Sequence, residues 1–304
     1  LLERAINKAF SEPEVKKTTT VLVAYKNEII AEQYAAGFNS QTPILGWSMT
    51  KSILATLYGI LEYQGKLNVD DVSPIKEWQK DERKNITINH LLRMQSGLAW
   101  EEDYTKISDV TKMLFMEADM TKAQRLKKAI AKPTKIWNYS SGTSNLLSGL
   151  LHRYVTDEQA YLDFPYQYLI DKIGMHSMVI ETDMNNNFVG SSYSWANTRD
   201  WAKFGLLYLN NGNWKGEQIF SENWIRYVTT PTVDSGGTYG AHFWLNVSGK
   251  YPDVPKDLYS ANGYEGQYVF IIPSKELVVV RTGLAEDPVF NVNEFLSEVI
   301  ESIK

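Results

Sequence analysis

The sequence predicts an α/β (α+β) fold in which one antiparallel sheet, flanked by helices, takes its strands from both ends of the chain. Strand-like runs occur near the N-terminus and again within residues 239–282, whereas residues 72–190 are mostly helical, with Pro and Gly breaks. Strands at both termini with helices between them favour a single sheet and an inserted helical domain. We therefore expect residues 1–71 and 191–304 to form the sheet domain and residues 72–190 to form the inserted, mainly helical domain.

The N-terminal part of the chain predicts a helix, a β-hairpin and a second helix. Residues 1–10 have an amphipathic helical pattern, and residues 19–25 and 28–35 have the pattern of two strands joined by a tight turn at Lys26-Asn27. Apolar side chains then recur at steps of three and four, which predicts a helix with one face toward the core; they are Met49, Ile53, Leu57, Ile60 and Leu61. We expect this helix to end near Gly65, a residue suited to the left-handed turn after a helix.

The rest of the chain predicts further helices before the last strands. The expected helices of the middle region lie at residues 90–98, 121–131 and 144–154. Asn197, with Asp200 three residues later, has the pattern of a helix cap, and apolar residues at helical spacing follow it. The expected C-terminal elements are strands at 239–247, 259–272 and 277–282, of which the last two form a hairpin, and a closing helix at 290–303.

The composition indicates a folded chain with a substantial core. The 304 residues are 43% hydrophobic and 22% charged, which supports one large domain or two interleaved domains. The net charge of −5, with both signs mixed along the chain, leaves no basic stripe for nucleic acid. No run approaches the ~18 apolar residues that a membrane span needs. Because the chain has no cysteine, disulfides, thiolate chemistry and cysteine-bound metal are excluded.

The sequence leaves the cellular compartment and the oligomeric state open. The chain begins Leu-Leu-Glu-Arg without an initiating Met, so we expect a trimmed or processed form from which any export signal has been removed. A periplasmic or exported location is compatible with the sequence. A cytoplasmic location is not excluded either, since proteins of both kinds can lack cysteine.

The stretch from Gly46 to Lys51 contains a candidate nucleophile with a base beside it. Ser48 lies at the start of the predicted helix, where free N–H groups and the positive end of the macrodipole point at its hydroxyl. Lys51 lies one turn further on the same face, close enough for its amine to reach the Ser48 oxygen. Roughly one S-x-x-K is expected by chance in a chain of this length. We interpret the second one, Ser73 to Lys76, as that chance match, because no apolar-periodic helix carries it.

Two further stretches offer what a serine nucleophile needs. Tyr139, in the stretch from Trp137 to Gly142, has a hydroxyl that both donates and accepts, which suits the transfer of a proton to a leaving group; an ordinary partly buried tyrosine is the alternative. The glycine-rich segment 261–267 lies within a strand pattern, where glycine often marks a close approach to the backbone. A backbone N–H from this segment, together with that of Ser48, would form an oxyanion hole; a β-bulge without function is the alternative.

Other catalytic chemistries find no support in the sequence. The four histidines, at positions 90, 152, 176 and 242, lack metal-ligand spacing, so no metal site is expected. Ser48 has Gly46 before it but Thr50 after it, so the G-x-S-x-G elbow of the α/β-hydrolases is missing. Neither a P-loop nor a G-x-G-x-x-G occurs, and no cofactor is expected.

Taken together, these motifs resemble the serine β-lactamase/penicillin-binding superfamily, and within it the class C β-lactamase-like branch. The stretches Ser48–Lys51, Tyr139–Ser141 and 261–267 occur in the order and approximate spacing of that family. Three supporting stretches, 65–71, 90–98 and 195–212, are also similar to family sequences. The wording Tyr-Ser-Ser and Gly-Tyr-Glu-Gly-Gln is most similar to the 6-aminohexanoate-dimer hydrolases and related carboxylesterases.

The resemblance implies a role for each matching residue. Ser48 would be the acylated nucleophile, Lys51 its base and Tyr139 the proton relay, with the backbone N–H groups of Ser48 and Tyr264 holding the oxyanion. The chain departs from the family in two places. Class C lactamases have Asn where this chain has Ser141, and they have Lys-Thr-Gly where it has Ala261-Asn262-Gly263. The missing lysine removes the cation that would bind a β-lactam carboxylate, so an esterase or amidase for small acyl substrates fits better.

Our leading hypothesis is therefore a metal-free serine hydrolase that cleaves carboxylic esters or short linear amides through an acyl-Ser48 intermediate. The expected partner is a small-molecule ester or amide substrate, and we expect no binding of nucleic acid. Two alternatives stay open: a β-lactamase or penicillin-binding D,D-carboxypeptidase, and a non-catalytic binding module on a hydrolase scaffold. The candidates for the substrate-binding wall are Trp47, Tyr104, Trp137, Ser141, Trp195, Trp244, Asn262, Gly263 and Tyr264.

Overall fold

The protein is represented by a computed structural model, which describes residues 1–303. Strands are short in the middle of the chain and longer near its two ends. In chain order they are β1 (Thr18–Tyr25), β2 (Glu28–Tyr34), β3 (Ile44–Leu45), β4 (Val179–Ile180), β5 (Ser194–Ala196), β6 (Asn213–Trp214), β7 (Glu217–Gln218), β8 (Trp244–Leu245), β9 (Tyr259–Gly263), β10 (Gln267–Ile272) and β11 (Leu277–Gly283).

The central sheet has six strands in the order β2-β1-β11-β10-β9-β8, and every neighbouring pair is antiparallel. The N-terminal hairpin joins it through β1, where Val21 pairs with Arg281 and Val23 pairs with Val279 of β11. The prediction of one antiparallel sheet built from both ends of the chain is therefore confirmed. Two smaller sheets have the orders β3-β5-β4 and β6-β7.

Helices surround this sheet. In chain order they are α1 (Leu2–Phe10), α2 (Pro13–Lys16), α3 (Met49–Tyr63), α4 (Ile88–Leu92), α5 (Asp109–Met116), α6 (Lys122–Arg125), α7 (Ser141–Leu150), α8 (Glu158–Pro165), α9 (Thr198–Leu209), α10 (Glu222–Thr229) and α11 (Val292–Ser302). Short 3₁₀ turns occur at Lys76–Lys80, Glu82–Asn85, Leu151–Arg153 and Pro273–Lys275, and a π-helical turn at Tyr166–Ile170. The cap predicted at Asn197 is present, since its side chain accepts a hydrogen bond from the Asp200 N–H.

Two apolar cores lie on opposite faces of the central sheet. Successive side chains of a strand point to opposite faces, and in β1 Leu22 and Ala24 belong to one core while Val21 and Val23 belong to the other. The larger core contains α3 and α9, and the smaller one contains α1 and α11. The sheet is therefore the middle of three layers.

Helix α3, which begins directly after Ser48, is buried on every side. The predicted face does lie in the core, and all residues from 49 to 61 are buried, so the burial extends beyond that face. The reason is that α3 packs against the sheet at β9 and β10 and also against α7 from the middle of the chain. A Cβ added at Gly59 would lie 2.6 Å from the Trp224 ring, which shows how closely the helix is enclosed.

Two strand predictions near the C-terminus were wrong in extent. Of residues 239–247, only β8 is a strand, because His242 has a left-handed backbone (φ 59°) that turns the chain. The predicted strand at 259–272 is two strands, β9 and β10, joined by a turn in which Glu265 and Gly266 have φ values of 62° and 89°. The predicted hairpin between β10 and β11 is present.

The helix predicted at 121–131 was also too long. Only residues 122–125 are helical, because Ala129 instead pairs with Leu98 and the Ile130 N–H donates to the Gly97 carbonyl. The division of the chain into a sheet domain and an inserted domain at residues 72 and 190 stays a prediction. No helix within residues 1–303 is both long enough and apolar enough to cross a membrane.

Candidate active site

Ser48 stands at a sharp turn between β3 and α3. The residue before it, Trp47, has a left-handed backbone (φ 47°), a conformation that costs of order 1 kcal/mol for a residue other than glycine. The turn closes when the Met49 N–H donates to the Gly46 carbonyl at 3.1 Å. Ser48 is the N-cap residue of α3, but its hydroxyl forms no cap hydrogen bond. Its oxygen is thus available for another partner at the positive end of the helix.

That partner is Lys51, whose side chain is almost fully buried at 1% exposure. Its Nζ lies 2.9 Å from Ser48 Oγ, 3.0 Å from Ser141 Oγ and 2.9 Å from the Ser191 carbonyl oxygen. Burial lowers the pKa of Lys51 to about 8, although the nearby Glu102 carboxylate acts in the opposite direction. A substantial fraction of the amine is therefore neutral at mildly alkaline pH, and a neutral amine can take a proton.

Tyr139 lines the same cavity as Ser48 and packs between aromatic rings. Its ring centroid is 5.4 Å from that of Trp244 and 5.8 Å from that of Tyr239, and the Lys51 ammonium lies 4.8 Å from it. Burial raises the pKa of Tyr139 and the Glu102 carboxylate raises it further, whereas an interaction with the Ser48 hydroxyl lowers it. The phenol therefore keeps its proton at any working pH, so it can donate to a leaving group.

The end of β9 approaches Ser48 from the sheet. A Cβ added at Gly263 would lie 2.1 Å from the Gly46 carbonyl oxygen, so only glycine allows this approach. It brings Tyr264, the first residue of the β9–β10 turn, to the same cavity as Ser48. Within residues 1–303, neither the Ser48 N–H nor the Tyr264 N–H donates to another residue. Two free donors beside a nucleophile have the composition of an oxyanion hole.

These groups open onto a cavity of about 330 Å³, a size that suits small molecules. Its wall consists of Ser48, Tyr104, Tyr139, Trp244, Lys250, Asn262, Gly263, Tyr264, Tyr268, Glu286 and Asp287. Four of these residues, Lys250, Tyr268, Glu286 and Asp287, were missed in the sequence. They come from three separate segments that only the folded sheet brings together, and no local motif marks them.

The structure brings most, but not all, of the predicted wall residues to the cavity. Trp195 lies outside the wall, on β5, where its indole donates to Glu181 at 2.5 Å. Trp137 lies behind the wall and packs on Tyr239 and Trp244. Ser141 is buried beneath Lys51.

Trp47 belongs to an aromatic cluster at the edge of the cavity. Its ring centroid lies 6.0 Å from that of Tyr193 and 5.7 Å from that of Tyr264. Tyr104, which does line the cavity, is tilted against the same Tyr264 ring with the centroids 5.2 Å apart. The ring of Tyr264 therefore connects the edge of the cavity to its wall.

Two residues near the candidate pair were not predicted from the sequence: Ser191, whose carbonyl oxygen contacts Lys51, and Glu102, which contacts Ser141. Glu102 Oε2 accepts from the Trp100 indole at 2.5 Å and from the Ser141 N–H at 2.8 Å. Its Oε1 accepts from the Tyr104 hydroxyl at 2.7 Å and from Ser141 Oγ at 2.5 Å. Three acids stand in a row at positions 101–103, and the sequence does not indicate which of them turns inward.

The second S-x-x-K has a different environment. Ser73 is buried, whereas Lys76 is exposed at a cavity of about 380 Å³ that does not include Ser48. The wall of that cavity mixes cations with carboxylates, and Arg125 Nε lies 3.2 Å from Glu77. The size of a cavity therefore does not single out the active site. The contact between Ser48 and Lys51 distinguishes the other cavity as the candidate active site.

Comparison with known proteins points in the same direction. The model of the Beta-lactamase family matches residues 9–287. The chain is 23% identical over 301 residues to the 6-aminohexanoate-dimer hydrolase of Paenarthrobacter ureafaciens, a match that covers 89% of this chain and 74% of that protein.

Solved structures share the fold at low sequence identity. A Bacillus anthracis protein provisionally named a 6-aminohexanoate-dimer hydrolase superposes with a TM-score of 0.80 at 18% identity, over 98% of this chain and 81% of its own. A family VIII carboxylesterase superposes with a TM-score of 0.77 at 15% identity, over 100% of this chain and 96% of its own. An octameric penicillin-binding protein homologue from Pyrococcus abyssi superposes with a TM-score of 0.76 at 16% identity, over 100% of this chain and 77% of its own. All three similarities concern the fold.

Proposed function

This chain belongs to the Beta-lactamase family, and we propose that it is a serine hydrolase that cleaves carboxylic esters or short linear amides through an acyl-Ser48 intermediate. Hydrolysis of an amide or an ester is the activity in the names of the related dimer hydrolase and carboxylesterase. The observation that carries the proposal is the 2.9 Å contact between Ser48 Oγ and the buried Lys51 amine. A nucleophile and a base within hydrogen-bond reach are the signature of covalent catalysis.

In the acylation step, Ser48 Oγ attacks the carbonyl carbon while neutral Lys51 takes the hydroxyl proton. The oxyanion that forms accepts hydrogen bonds from the Ser48 and Tyr264 N–H groups, and loss of one such donor typically costs about 10²–10³ in rate. The bond from the carbonyl carbon to the leaving oxygen or nitrogen then breaks. Tyr139 gives that atom its phenolic proton and regains one from the Lys51 ammonium, so an alcohol or amine leaves and Ser48 carries the acyl group.

In the deacylation step, water replaces the leaving group. The neutral Lys51 amine takes a proton from the attacking water, with Tyr139 able to pass it on, and the same two N–H groups hold the oxyanion. When the bond between the acyl carbon and Ser48 Oγ breaks, the serine oxygen takes a proton back. A carboxylic acid leaves, and Ser48 and Lys51 return to their starting states.

The charges of the cavity favour esters and linear amides over an anionic β-lactam. Ala261 is buried at the position where the resemblance would require a lysine. The cation in the cavity wall, Lys250, lies 3.7 Å from the Asp287 carboxylate, and Glu286 adds a second negative charge. A substrate carboxylate would therefore meet two carboxylates and an ammonium that already has a partner.

The proposal is tested by intact-protein mass after incubation with a fluorophosphonate, alongside hydrolysis of p-nitrophenyl acetate and butyrate. Wild type should gain one adduct and turn over both esters, and Ser48→Ala should do neither. The matched control is Ser73→Ala at the second S-x-x-K, which should keep both the adduct and the turnover. No adduct on folded wild type would refute the proposal and favour the non-catalytic binding module. Efficient labelling by a fluorescent penicillin would favour the penicillin-binding alternative.

A further inference from the structure

The Lys51 nitrogen must direct its lone pair at Ser48 if it is to take the proton, and its other two oxygen partners decide whether it does. A neutral amine has two hydrogens and one lone pair, and Nζ has three oxygens within 3.0 Å. The Ser191 carbonyl can only accept, so it receives one hydrogen. The Ser141 hydroxyl can accept or donate. Its orientation therefore determines which way the Lys51 lone pair points.

Glu102 fixes that orientation. A carboxylate only accepts, so the hydrogen of the Ser141 hydroxyl, 2.5 Å from Glu102 Oε1, is committed to Glu102. Ser141 Oγ can then serve Lys51 only as an acceptor. With its two hydrogens held by Ser141 and Ser191, the neutral amine presents its lone pair to Ser48.

We propose that Glu102 is a positioning residue that keeps the Ser141 hydroxyl turned away from Lys51, so that the neutral amine accepts the proton of Ser48. The inference rests on the proposed acyl-Ser48 chemistry and adds to it a residue that is absent from the cavity wall. Glu102 acts through Ser141, and Ser141 sits at the first position of α7, where the helix end favours a carboxylate. Both polar groups of Ser141 bind the same carboxylate, which leaves its hydroxyl little freedom to rotate.

The variant Glu102→Gln should reverse the direction of this hydrogen-bond chain. The Trp100 indole and the Ser141 N–H can only donate, so the carbonyl of the new amide must take the Oε2 position. Its NH₂ group then faces the hydroxyls of Tyr104 and Ser141 and donates to them. The Ser141 hydrogen turns to Lys51 and occupies the lone pair, so we expect kcat/KM to fall by roughly 10²-fold, within the range that general-base catalysis contributes.

The negative charge of Glu102 supplies a second readout. Lys51 Nζ and Glu102 Oε1 bind the same Ser141 oxygen at 3.0 and 2.5 Å, so they are about 5.5 Å apart at most. Removal of the charge stabilises the neutral amine and should move the acid limb of the kcat/KM profile to lower pH, by on the order of one unit. The other titratable groups facing Lys51 do not interfere: burial keeps Tyr139 protonated by raising its pKa and keeps His242 neutral with a pKa of about 3.

The test measures p-nitrophenyl butyrate kcat/KM from pH 6 to 10 and the rate of fluorophosphonate labelling, with thermal unfolding as the check on folding. The matched control is Glu101→Gln, the same change at the neighbouring acid, which pairs with Lys106 at the surface. Glu102→Gln should show both the loss and the shifted acid limb, and the control should show neither. A Glu102→Gln variant with the rate and acid limb of wild type would overturn the proposal.

The variant Ser141→Ala distinguishes the orientation of the Ser141 hydroxyl from a general effect of Glu102 on packing. Alone it removes one fixed acceptor of Lys51 and should cost about tenfold, the equivalent of one hydrogen bond, with the acid limb nearly in place. Combined with Glu102→Gln it removes the hydroxyl that captures the lone pair, so the double variant should be more active than Glu102→Gln. A double variant that is less active would refute the proposal.

Two remaining outcomes are also decisive. If Glu102→Gln does not fold, Ser141→Ala decides: unchanged kinetics there would show that Ser141 does not orient Lys51 and would overturn the inference. Wild type without an adduct would instead refute the proposed function, which distinguishes the two failures.

Discussion

Replacement of Gly263 by Ala should move the Tyr264 N–H away from Ser48 while leaving the nucleophile and its base in place. The backbone of Gly263 lies outside the left-handed region, so Ala meets no conformational strain there. The new Cβ would lie 2.1 Å from the Gly46 carbonyl oxygen, and real Cβ atoms essentially never approach another atom within 3.0 Å. The end of β9 must therefore retreat from the Ser48 turn by about 1 Å, a misplacement that typically costs about 10²-fold in rate.

The loss should appear in the acylation rate with little change in its pH dependence. A retreat of β9 weakens one of two oxyanion donors, so we expect kcat/KM for p-nitrophenyl butyrate to fall by about 10²-fold. Lys51 keeps its burial and its partner Ser141 on α7, so its pKa and the acid limb of the pH profile should not change. Overpacking of this kind also costs about 1–3 kcal/mol of folding stability, which urea unfolding would measure.

The control is Gly149→Ala, which overpacks the protein away from Ser48. A Cβ at Gly149, within α7, would lie 2.8 Å from the Thr121 methyl group, so this variant should lose stability and keep its activity. If folded Gly263→Ala retains kcat/KM within about threefold of wild type, the Tyr264 N–H is not an oxyanion donor. The reasoning from the close approach of β9 would then be refuted.

Three further predictions concern Lys51 as the base, Tyr139 as the acid and Arg281, which binds the turn between β9 and β10. Wild-type kcat/KM for a reactive ester should rise about tenfold per pH unit up to a pKa of about 8 and then level off, because Lys51 acts as a base only when neutral; a flat profile below pH 8 would contradict this. Tyr139→Phe should slow hydrolysis of an anilide by about 10²-fold or more, but should slow hydrolysis of a p-nitrophenyl ester much less. The reason is that p-nitrophenolate leaves without a proton, whereas an aniline needs one. Equal losses for the two substrates would contradict the role of Tyr139 as acid. Arg281→Lys should lower the free energy of unfolding by about 2–4 kcal/mol, measured in urea. The buried guanidinium donates to the carbonyls of Gly266, Ala285 and Lys16, and an ammonium cannot reach all three. A stability equal to wild type would contradict this role.

The parts of the site that depend on local geometry could be predicted from the sequence. Ser48 and Lys51 are three residues apart at the start of an apolar helix, and that spacing fixes their relative position whatever the rest of the chain does. The strands β1 and β11 were predicted because their apolar runs are long, and β2 because a tight turn at Lys26-Asn27 joins it to β1. That one antiparallel sheet takes its strands from both ends of the chain followed from the position of these runs, whereas the order of the strands within it did not.

The remaining parts depend on an unusual turn residue or on contacts between distant segments. The turn between β9 and β10 was missed because Glu265, not Asn or Asp, takes the left-handed position before Gly266. Glu102 was missed because 39 residues separate it from Ser141, its partner. The strand predicted at 239–247 was interrupted because the buried His242 binds the Leu92 carbonyl at 2.6 Å and the Ser144 hydroxyl at 2.9 Å. For Glu102 and His242 a contact with a distant segment overrode the local pattern, whereas the Glu265 turn was missed because its residue type is unusual there.

The direction of proton transfer in the proposed mechanism depends on groups that can only accept a hydrogen bond. Burial lowers the pKa of Lys51 to about 8 against the opposing effect of the Glu102 carboxylate, so the amine is a moderate base, and its efficiency depends on where its lone pair points. The Ser191 carbonyl and the Glu102 carboxylate can only accept, and together they direct the lone pair to Ser48. Tyr139, whose pKa burial raises, is protonated and can give its proton to a leaving group before Lys51 restores it. In the proposed mechanism, Ser48 therefore loses its proton to Lys51, and the leaving group gains one from Tyr139.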